Sequence, residues 1–267
     1  VTRSLKEDDE NLTALLAPSF VGQFGAKIDP AKIKSALKQI GFSEVREVGM
    51  GADWTAAEES EELKETLSED EFLLSSCCPS FKKLVLNEYP DLALNVSSTF
   101  SPMVKTAQAV KRDSGNKTVF VGPCIAKKAE ACGYKSVDHV LTFEELLCIM
   151  VASDMNLANY EQEEKLNDAT RHGRQFAYSG GLSQVMQEMT DFEIETVKGS
   201  GLDQCIELLD KLIDGKQNFD FMEGMACSGG CAGGPAVLNK PQVTKKLVQL
   251  FADEAEQKKA EYNEFTA

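Results

Sequence analysis

Short apolar runs alternate with helix-spaced segments along most of the 267-residue chain. The runs "TVFVG" and "FDFMEGMAC" have the β-branched and aromatic content typical of buried strands. The segment "DPAKIKSALKQIGF" is a predicted helix, with Asp29 as its N-cap, Pro30 at its first position and Gly41 as its stop. Strands that alternate with helices favour an α/β fold with a largely parallel sheet.

The same signals predict further elements. Strands are predicted at "EVREV", "FLLS" and "FEIETVKG", and helices at "PSFKKLVLNEY", "FEELLCIMVA" and "LDQCIELLDKLIDG". A charged amphipathic helix is predicted from about Gln242 to Glu264. No repeat, low-complexity tract or linker interrupts these segments, so the sequence marks no clean domain boundary.

Composition excludes several classes of partner. The 43 acidic and 28 basic residues give a formal net charge of −15, which repels nucleic acid and anionic membrane surfaces. No apolar run approaches the roughly 20 residues of a spanning helix. The first residues, "VTRSLKEDDENL", lack the basic and then apolar order of a signal peptide. We therefore expect a cytoplasmic protein with no nucleic-acid and no membrane partner.

The eight cysteines divide into two groups by their surroundings. Cys148 and Cys205 lie among helix-spaced aliphatic residues, where a cysteine usually serves as a small core residue. Cys132, in "EACGY", has no partner at metal-ligand spacing and is predicted to be buried in the same way. The other five lie near the ends of predicted strands: Cys77, Cys78, Cys124, Cys227 and Cys231.

These five cysteines are predicted to share one site, because ligands bind at strand ends in open α/β sheets. Glycines in "MEGMACSGGCAGGP" allow the backbone to approach a bulky cofactor closely. The chain has only two histidines, His139 and His172, so a metal site would be almost purely thiolate. Thiolates suit zinc or an iron–sulfur cluster, and ligands spread over three strand ends favour the cluster.

Three motifs, "SSCCPSF", "GPCIAKKAE" and "MEGMACSGGCAGGP", resemble in order and spacing the signatures of the catalytic domain of iron–iron (FeFe) hydrogenases. The likeness continues through "LAPSFVGQFG", "NVSSTFSP" and "FAYSGGL" over nearly the whole chain. It implies an α/β fold of two sheet-containing lobes, flanked by helices, with the cofactor site between them. It also implies one catalytic domain over residues 1–267, in which residues 1–14 form an N-terminal tail.

The resemblance implies a two-part cofactor, the H-cluster. A 4Fe–4S cluster is joined to a di-iron subcluster that carries CO, cyanide and a dithiolate bridge. Cys78, Cys124 and Cys227 match cluster ligands, and Cys231 matches the ligand shared with the di-iron subcluster. Cys77 matches the family's proton-relaying thiol, which is not bound to iron.

Further roles follow from the same resemblance. Lys127 matches the residue that hydrogen-bonds a cyanide, and Met225 matches the soft side chain against the di-iron subcluster. Without the resemblance, "TAAEESEELKE" indicates only an exposed acidic helix face. With the resemblance, Ser97, Glu59 and Glu62 match a proton route from Cys77 toward solvent. Ser101 and Pro102 match residues that contact the cofactor.

Several residues depart from the family's usual pattern. Ser75 and Phe81 replace a threonine and a tryptophan of the first signature, and Gly122 replaces a methionine of the second. The third signature ends "CAGGPAV", and Met103 stands where many members carry glutamine. The pattern indicates a divergent branch with an altered di-iron pocket and a complete set of cluster ligands.

The resemblance implies an oxidoreductase that interconverts protons plus electrons and molecular hydrogen. The chain lacks the C-x2-C-x2-C-x3-C-P run of ferredoxin-like clusters, so electrons are expected from a ferredoxin-like carrier or an upstream iron–sulfur domain. Cofactor maturation proteins are further expected partners. The alternative is a non-turnover relative that senses hydrogen or redox state or handles iron–sulfur clusters, and a structural zinc protein is a third hypothesis. The relay thiol Cys77 favours turnover.

Overall fold

Two separate parallel sheets organise the chain. The computed structural model describes residues 11–68, 71–161 and 165–260. Four strands have the order β2-β1-β4-β5, and three have the order β3-β7-β6. This confirms the predicted α/β fold with parallel sheets. The strands are β1 (Leu12–Leu16), β2 (Glu44–Glu47), β3 (Leu73–Leu74), β4 (Lys117–Gly122), β5 (His139–Thr142), β6 (Thr196–Ser200) and β7 (Phe221–Met225).

Helices connect the strands and cover both sheets. In the ranges that the structure describes, none of them combines the length and apolarity needed to cross a bilayer. The helices are α1 (Pro30–Ile40), α2 (Gly49–Leu67), α3 (Pro79–Glu88), α4 (Pro102–Asp113), α5 (Ala126–Ala131), α6 (Phe143–Ala152), α7 (Arg171–Gln175), α8 (Gly181–Met189), α9 (Leu202–Ile213) and α10 (Pro241–Asp253).

Strand β1 is the interior strand around which the larger sheet forms. Its residue Ala14 pairs with Val45 of β2 on one side and with Val119 of β4 on the other. All five residues of β1 are buried, as expected for a parallel sheet that is covered on both faces. Residues 12–14 of the predicted N-terminal tail therefore belong to this strand, and residues 1–10 lie outside the described part.

In the smaller sheet, β7 lies between β3 and β6. Phe221 of β7 pairs with Leu73 of β3 and with Thr196 of β6. Separate groups of buried apolar side chains, which include Leu182 and Met222, cover the sheet. The strand predicted at "FEIETVKG" was expected to start at Phe192, but β6 begins at Thr196.

The predicted ends of α1 are confirmed by its hydrogen bonds. The Asp29 side chain accepts from the backbone N–H of Ala31 over 2.8 Å. Gly41 ends the helix with a φ of 122°, a value that favours glycine. The C-terminal helix is shorter than predicted, since α10 ends at Asp253. Residues 261–264 of that prediction lie outside the described residues.

A buried ion pair joins the larger sheet to α7 and α10. Arg174 donates to both carboxylate oxygens of Glu47, over 2.9 and 2.8 Å, and each residue is only 2% exposed. The same guanidinium donates to the carbonyls of Phe251 and Leu166, over 2.7 and 2.9 Å. A buried charge needs this many hydrogen-bond partners, because an unpaired buried charge costs several kcal/mol.

The prediction that Cys148 lies in the core was wrong, because this residue is exposed. Phe143, Leu146 and Met150 form the buried side of α6. Cys148 follows Leu146 by two residues, or about 200° around the helix axis, which directs its side chain to the opposite side.

The other two predicted core cysteines have different outcomes. Cys132 is exposed just after α5, where its thiol donates to the Lys128 carbonyl over 3.4 Å, so that prediction was also wrong. Cys205 is fully buried in α9, as predicted. It packs closely on β6, since a Cβ at Gly199 would lie 2.6 Å from its sulfur.

Cys205→Ala should lower the free energy of unfolding by about 1 kcal/mol, because it removes a buried sulfur and leaves a small cavity. Cys148→Ala, at the exposed position, should change the free energy by less than about 0.5 kcal/mol. Urea unfolding of both variants under reducing conditions measures these free energies. Equal losses in the two variants would contradict the burial of Cys205 and the exposure of Cys148.

Candidate metal-cluster site

A cavity of about 80 Å³ lies where strands of the two sheets end. Its wall includes Ala17 after β1, Val48 after β2 and Cys124 after β4, all from the larger sheet. The smaller sheet contributes Cys78 after β3 and Cys227 after β7. Parallel strands bring their C-terminal ends to one edge, so residues far apart in sequence meet here.

All five cysteines predicted to share a site line this cavity. Cys78 is the N-cap residue of α3, so its position is set by the start of that helix. Cys227 and Cys231 flank a turn in which Gly229 and Gly230 have φ values of 86° and 75°. Glycine is required at position 230, because a Cβ there would lie 2.5 Å from the Ser179 nitrogen.

Burial favours the protonated form of the Cys227 and Cys231 thiols by raising their pKa values. Burial and the neighbouring Cys78 and Cys124 raise the pKa of Cys227 to about 11. The pKa of Cys231 is raised in the same way, by burial first and then by Cys124 and Cys78. Metal binding must therefore displace protons, and a cationic group is needed to hold several thiolates together.

The donor set fits a cluster better than a single ion. Roughly 10–15 Å³ is enough for one water, and the cavity is several times larger. Among the described residues, no three His, Cys, Asp or Glu side chains are close enough to hold one metal ion. A 4Fe–4S cluster binds each of its four thiolates to a different iron, so its ligands stand apart around a common volume.

Lys127 is the buried cation in the cavity wall. Its Nζ is 2.6 Å from Oε2 of Glu130 and donates to the Cys77 carbonyl over 3.3 Å. Burial by itself lowers the pKa of Lys127, but Glu130 and the thiols of Cys124 and Cys77 outweigh it and raise the pKa. The ammonium therefore stays charged beside the cavity.

Two methionines and the start of α4 complete the wall. Met225 and Met103 are buried and line the cavity, and Pro102 lies beside Met103. Ser101 precedes them and is buried, but it does not line the cavity. Its hydroxyl has no hydrogen-bond partner within the described ranges.

Two departures from the family's first signature pack against the same glycine. The Phe81 ring lies over Gly224 of β7, where an added Cβ would meet ring carbons at 2.3 Å. The Ser75 hydroxyl accepts from the N–H of Gly224 over 3.0 Å. Phe81 therefore fits here because position 224 has no side chain.

Cys77 is the fifth cysteine of the cavity and is buried. Its pKa is raised well above the usual value by burial, and then by Glu59, Cys78 and Glu223. The side chain is therefore a protonated thiol in the metal-free chain. Cys77 and Cys78 are adjacent, yet both side chains border the same volume.

Glu59 is fully buried, so an exposed acidic face is the wrong description of this position. Its Oε1 accepts from the Ser76 N–H over 3.0 Å, while its Oε2 has no hydrogen-bond partner among residues 11–68, 71–161 and 165–260. Burial, and to a lesser degree Glu62, raises the pKa of Glu59 to about 7. This carboxyl can therefore gain or lose a proton near neutral pH.

Glu62 lies at the partly exposed end of the same group of residues. Its Oε2 accepts from the Ser97 hydroxyl over 2.6 Å, and its Oε1 accepts from the Ser98 N–H over 2.8 Å. The structure thus brings together Glu59, Glu62 and Ser97. Thr99, which the sequence motifs did not single out, is also buried here, and its hydroxyl is 2.9 Å from that of Ser97. The only signal for it in the sequence is the hydroxyl-rich run "NVSSTFSP".

Two parallel sheets whose strand ends gather five thiols and a buried lysine around one cavity define an α/β protein with a thiol-rich site. The family model for the C-terminal domain of the iron-only hydrogenase large subunit matches residues 10–235. The chain belongs to this family.

Curated relatives agree with the family assignment at low identity. Iron hydrogenase 1 of Clostridium pasteurianum is 26% identical, with 96% of this chain and 56% of that protein covered. The periplasmic Fe hydrogenase large subunit of Nitratidesulfovibrio vulgaris is 26% identical, covering 88% and 70%. The human nuclear prelamin A recognition factor is 23% identical, covering 88% and 66%. The chain thus spans little more than half of the clostridial protein.

Solved structures share the fold. An FeFe-hydrogenase structure described for oxygen inactivation of its H cluster has a TM-score of 0.81 and 20% identity, covering 96% of this chain and 90% of that one. An FeFe-hydrogenase of Chlamydomonas reinhardtii has a TM-score of 0.79 and 20% identity, covering 97% and 88%. The overall α/β architecture is therefore that of FeFe-hydrogenase catalytic domains.

Glu59→Gln should make stability less dependent on pH. Because burial raises the pKa of Glu59 from 4.5 to about 7, its contribution to stability is complete below pH 4.5 and is lost as the pH rises through 7. At about 1.4 kcal/mol per pKa unit, the loss between pH 4.5 and 7.5 is on the order of 3 kcal/mol. Urea unfolding of the metal-free chain across this range should show that loss in the wild type and not in the variant.

Glu65→Gln is the matched control, because it removes an exposed carboxylate from the same helix and corrects for the change in net charge. A difference between Glu59→Gln and the wild type that stays constant from pH 4.5 to 7.5 would contradict the raised pKa.

Proposed function

We propose that this protein is an FeFe hydrogenase, which interconverts protons plus electrons and molecular hydrogen at an H-cluster. One observation carries the proposal: Cys77, Cys78, Cys124, Cys227 and Cys231 all line one cavity at the strand ends of both sheets. Family membership supports the same conclusion. Hydrogen and protons are then the substrates, and a ferredoxin-like carrier or an upstream iron–sulfur domain exchanges electrons with the site.

Four of these cysteines would hold the cofactor. Cys78, Cys124 and Cys227 would bind the 4Fe–4S cluster, and Cys231 would be shared with a di-iron subcluster that carries CO, cyanide and a dithiolate bridge. When bound, this cofactor supplies the redox chemistry that exchanges electrons with protons and hydrogen. Assembly of such a group requires maturation proteins, which are therefore proposed partners.

Other side chains of the wall bind and shield the cofactor. The charged Nζ of Lys127, held by Glu130, would donate to an anionic ligand such as cyanide. Met225 and Met103 would keep water away from the di-iron subcluster with soft, apolar surfaces. Pro102, which lines the cavity at the start of α4, would contact the cofactor, whereas the neighbouring Ser101 does not line the cavity.

The proton route would begin at Cys77 and leave through Glu59, Ser97 and Glu62. Cys77 borders the cavity and lies close enough to Glu59 for the carboxylate to raise its pKa. Ser97 donates to the partly exposed Glu62 over 2.6 Å. Groups with pKa values near neutrality transfer protons in both directions, and a pKa of about 7 suits Glu59 to this role.

The alternative functions make different demands on the same site. A hydrogen or redox sensor, or a cluster-handling protein, would use the four ligand cysteines without a buried proton route. The buried carboxyl of Glu59 behind Cys77 therefore favours turnover. A structural zinc protein usually takes its thiolates from C-x2-C pairs, whereas Cys78, Cys124 and Cys227 follow three different strands.

Infrared spectroscopy of protein matured with the cofactor-assembly enzymes tests the proposal directly. Bands from metal-bound CO and cyanide, together with hydrogen production from a reduced electron carrier, are expected. Iron and sulfide without those bands would support the cluster-handling function instead. Bound zinc alone would support the structural function.

Cys78→Ser, Cys124→Ser and Cys227→Ser should each strongly reduce the iron content and visible absorption of the purified protein, because each loses a thiolate ligand. Cys231→Ser should also lose the infrared bands of the di-iron subcluster. Cys132→Ser, at an exposed position outside the cavity, is the matched control and should keep full iron content. Normal iron content in all four ligand variants would reject the ligand assignment.

Cys77→Ala should keep iron content and infrared bands while hydrogen turnover falls by about 10²–10⁴-fold, the usual cost of removing a positioned proton-transfer group. Cys77→Asp should recover part of the rate, because a carboxylate also carries protons. Loss of the cluster in Cys77→Ala would instead identify Cys77 as a ligand. Turnover near the wild-type rate in loaded protein would remove it from the proton route.

A further inference from the structure

The hydroxyl of Thr99 lies between two members of the proposed proton route. Its Oγ1 is 2.9 Å from the Oγ of Ser97 and donates to Oε1 of Glu59 over 3.4 Å. It is also 3.0 Å from the Oγ of Ser76, which donates to the same Glu59 oxygen over 3.3 Å. All four residues are buried. The Glu59 carboxyl therefore faces a small group of connected hydroxyls.

We propose that Thr99 is a proton-relay residue that connects Glu59 to Ser97 and, through Ser97, to Glu62. The inference rests on the proposed function, because it adds a residue to the proton route between the cofactor and the surface. The route stays continuous beyond Thr99, since Ser97 donates to Oε2 of Glu62 over 2.6 Å.

The hydrogen-bonding capacity of the groups allows this relay. A hydroxyl has one proton and two lone pairs, so it can accept from one neighbour and donate to another. When Ser97 donates to the Glu62 carboxylate, one of its lone pairs accepts from the Thr99 backbone N–H over 3.2 Å, and the other can accept from the Thr99 hydroxyl. The Thr99 hydroxyl can also donate to Oε1 of Glu59, and a relay requires this change between two acceptors.

Each transfer conserves protons and breaks only O–H bonds. Protonated Glu59 gives its proton to Oγ1 of Thr99 while Thr99 gives its own proton to Ser97. Ser97 gives its proton to the carboxylate of Glu62, so both hydroxyls end with one proton and the charge has moved from Glu62 to Glu59. The 3.4 Å contact from Thr99 to Glu59 is the longest in the series, and catalytic hydrogen bonds are often long in structures without a bound substrate.

Direct transfer between Glu59 and Ser97 is the competing route. A hydrogen bond from the Ser97 hydroxyl helps to lower the pKa of Glu59 against the effect of burial, so the two groups are close enough for direct transfer. Thr99 is better connected, because its single hydroxyl reaches Ser97, Ser76 and Glu59. The two routes predict different results for a variant that removes only the Thr99 hydroxyl.

The relay is tested by the rate at which the Glu59 carboxyl proton exchanges for deuterium. Time-resolved infrared spectroscopy measures this rate after the protein is mixed with D2O at pH 6. At this pH a pKa of about 7 keeps Glu59 protonated, and loss of the band in Glu59→Gln assigns it. The measurement uses the full chain, both matured and without cofactor, and needs no hydrogen turnover. Ser97→Ala serves as the benchmark for a blocked route.

Thr99→Val keeps the shape of the side chain and removes its hydroxyl, so exchange should slow by about 10²-fold, as in Ser97→Ala. The double variant should be no slower than either single one, because the two residues act in series. Thr99→Ser should restore the wild-type rate. Thr55→Val is the matched control, since it removes a buried threonine hydroxyl that donates to the Phe100 carbonyl of the same segment, and it should exchange normally.

Wild-type exchange in Thr99→Val together with slow exchange in Ser97→Ala would overturn the relay and leave direct transfer as the route. Wild-type exchange in both variants would overturn the relay and the proposed proton route together. In matured protein, hydrogen turnover should fall in Thr99→Val and recover in Thr99→Ser. Slow exchange in Thr99→Val in a chain that lacks hydrogen turnover would support the relay while the proposed function fails.

Discussion

The site depends on one geometric constraint, which is that two parallel sheets direct strand ends to a common cavity. Cys78, Cys124 and Cys227 follow three different strands, so their thiols meet only if both sheets hold their positions. Strands are among the most rigid supports for a ligand set, and rigid support matters for metal sites. Cys231 joins them through a glycine turn after the last of these strands.

Burial then shifts the pKa values of several titratable side chains around that cavity. It raises the pKa of Cys231 and Cys227, so these thiols hold protons until a cationic group replaces them. It also keeps Glu59 protonated up to about pH 7. Lys127 remains charged because Glu130 offsets its desolvation. A chain with a net charge of −15 thus has a positive group facing the volume proposed for an anionic cofactor.

A buried ion pair outside the cavity supports one part of the cavity wall. Arg174, paired with Glu47, anchors α7 against the larger sheet. Phe176 and Ala177, the first two residues after α7, line the cavity. The carbonyl of Ala177 accepts from the N–H of Ala232 over 2.7 Å, next to Cys231 in the chain. The buried pair and the glycine turn between Cys227 and Cys231 are therefore connected through one short segment.

The sequence by itself determined the α/β class, the ends of α1 and the five cysteines of the site. These depend on local patterns, such as the Asp29 cap and the spacing of residues around each strand end. It could not determine which face of α6 is buried, because Cys148 sits among apolar residues on both sides of the helix. Only the tertiary structure decided that Glu59 is buried and that Thr99 meets Ser76 and Ser97, since pKa values and hydroxyl contacts depend on neighbours from other elements.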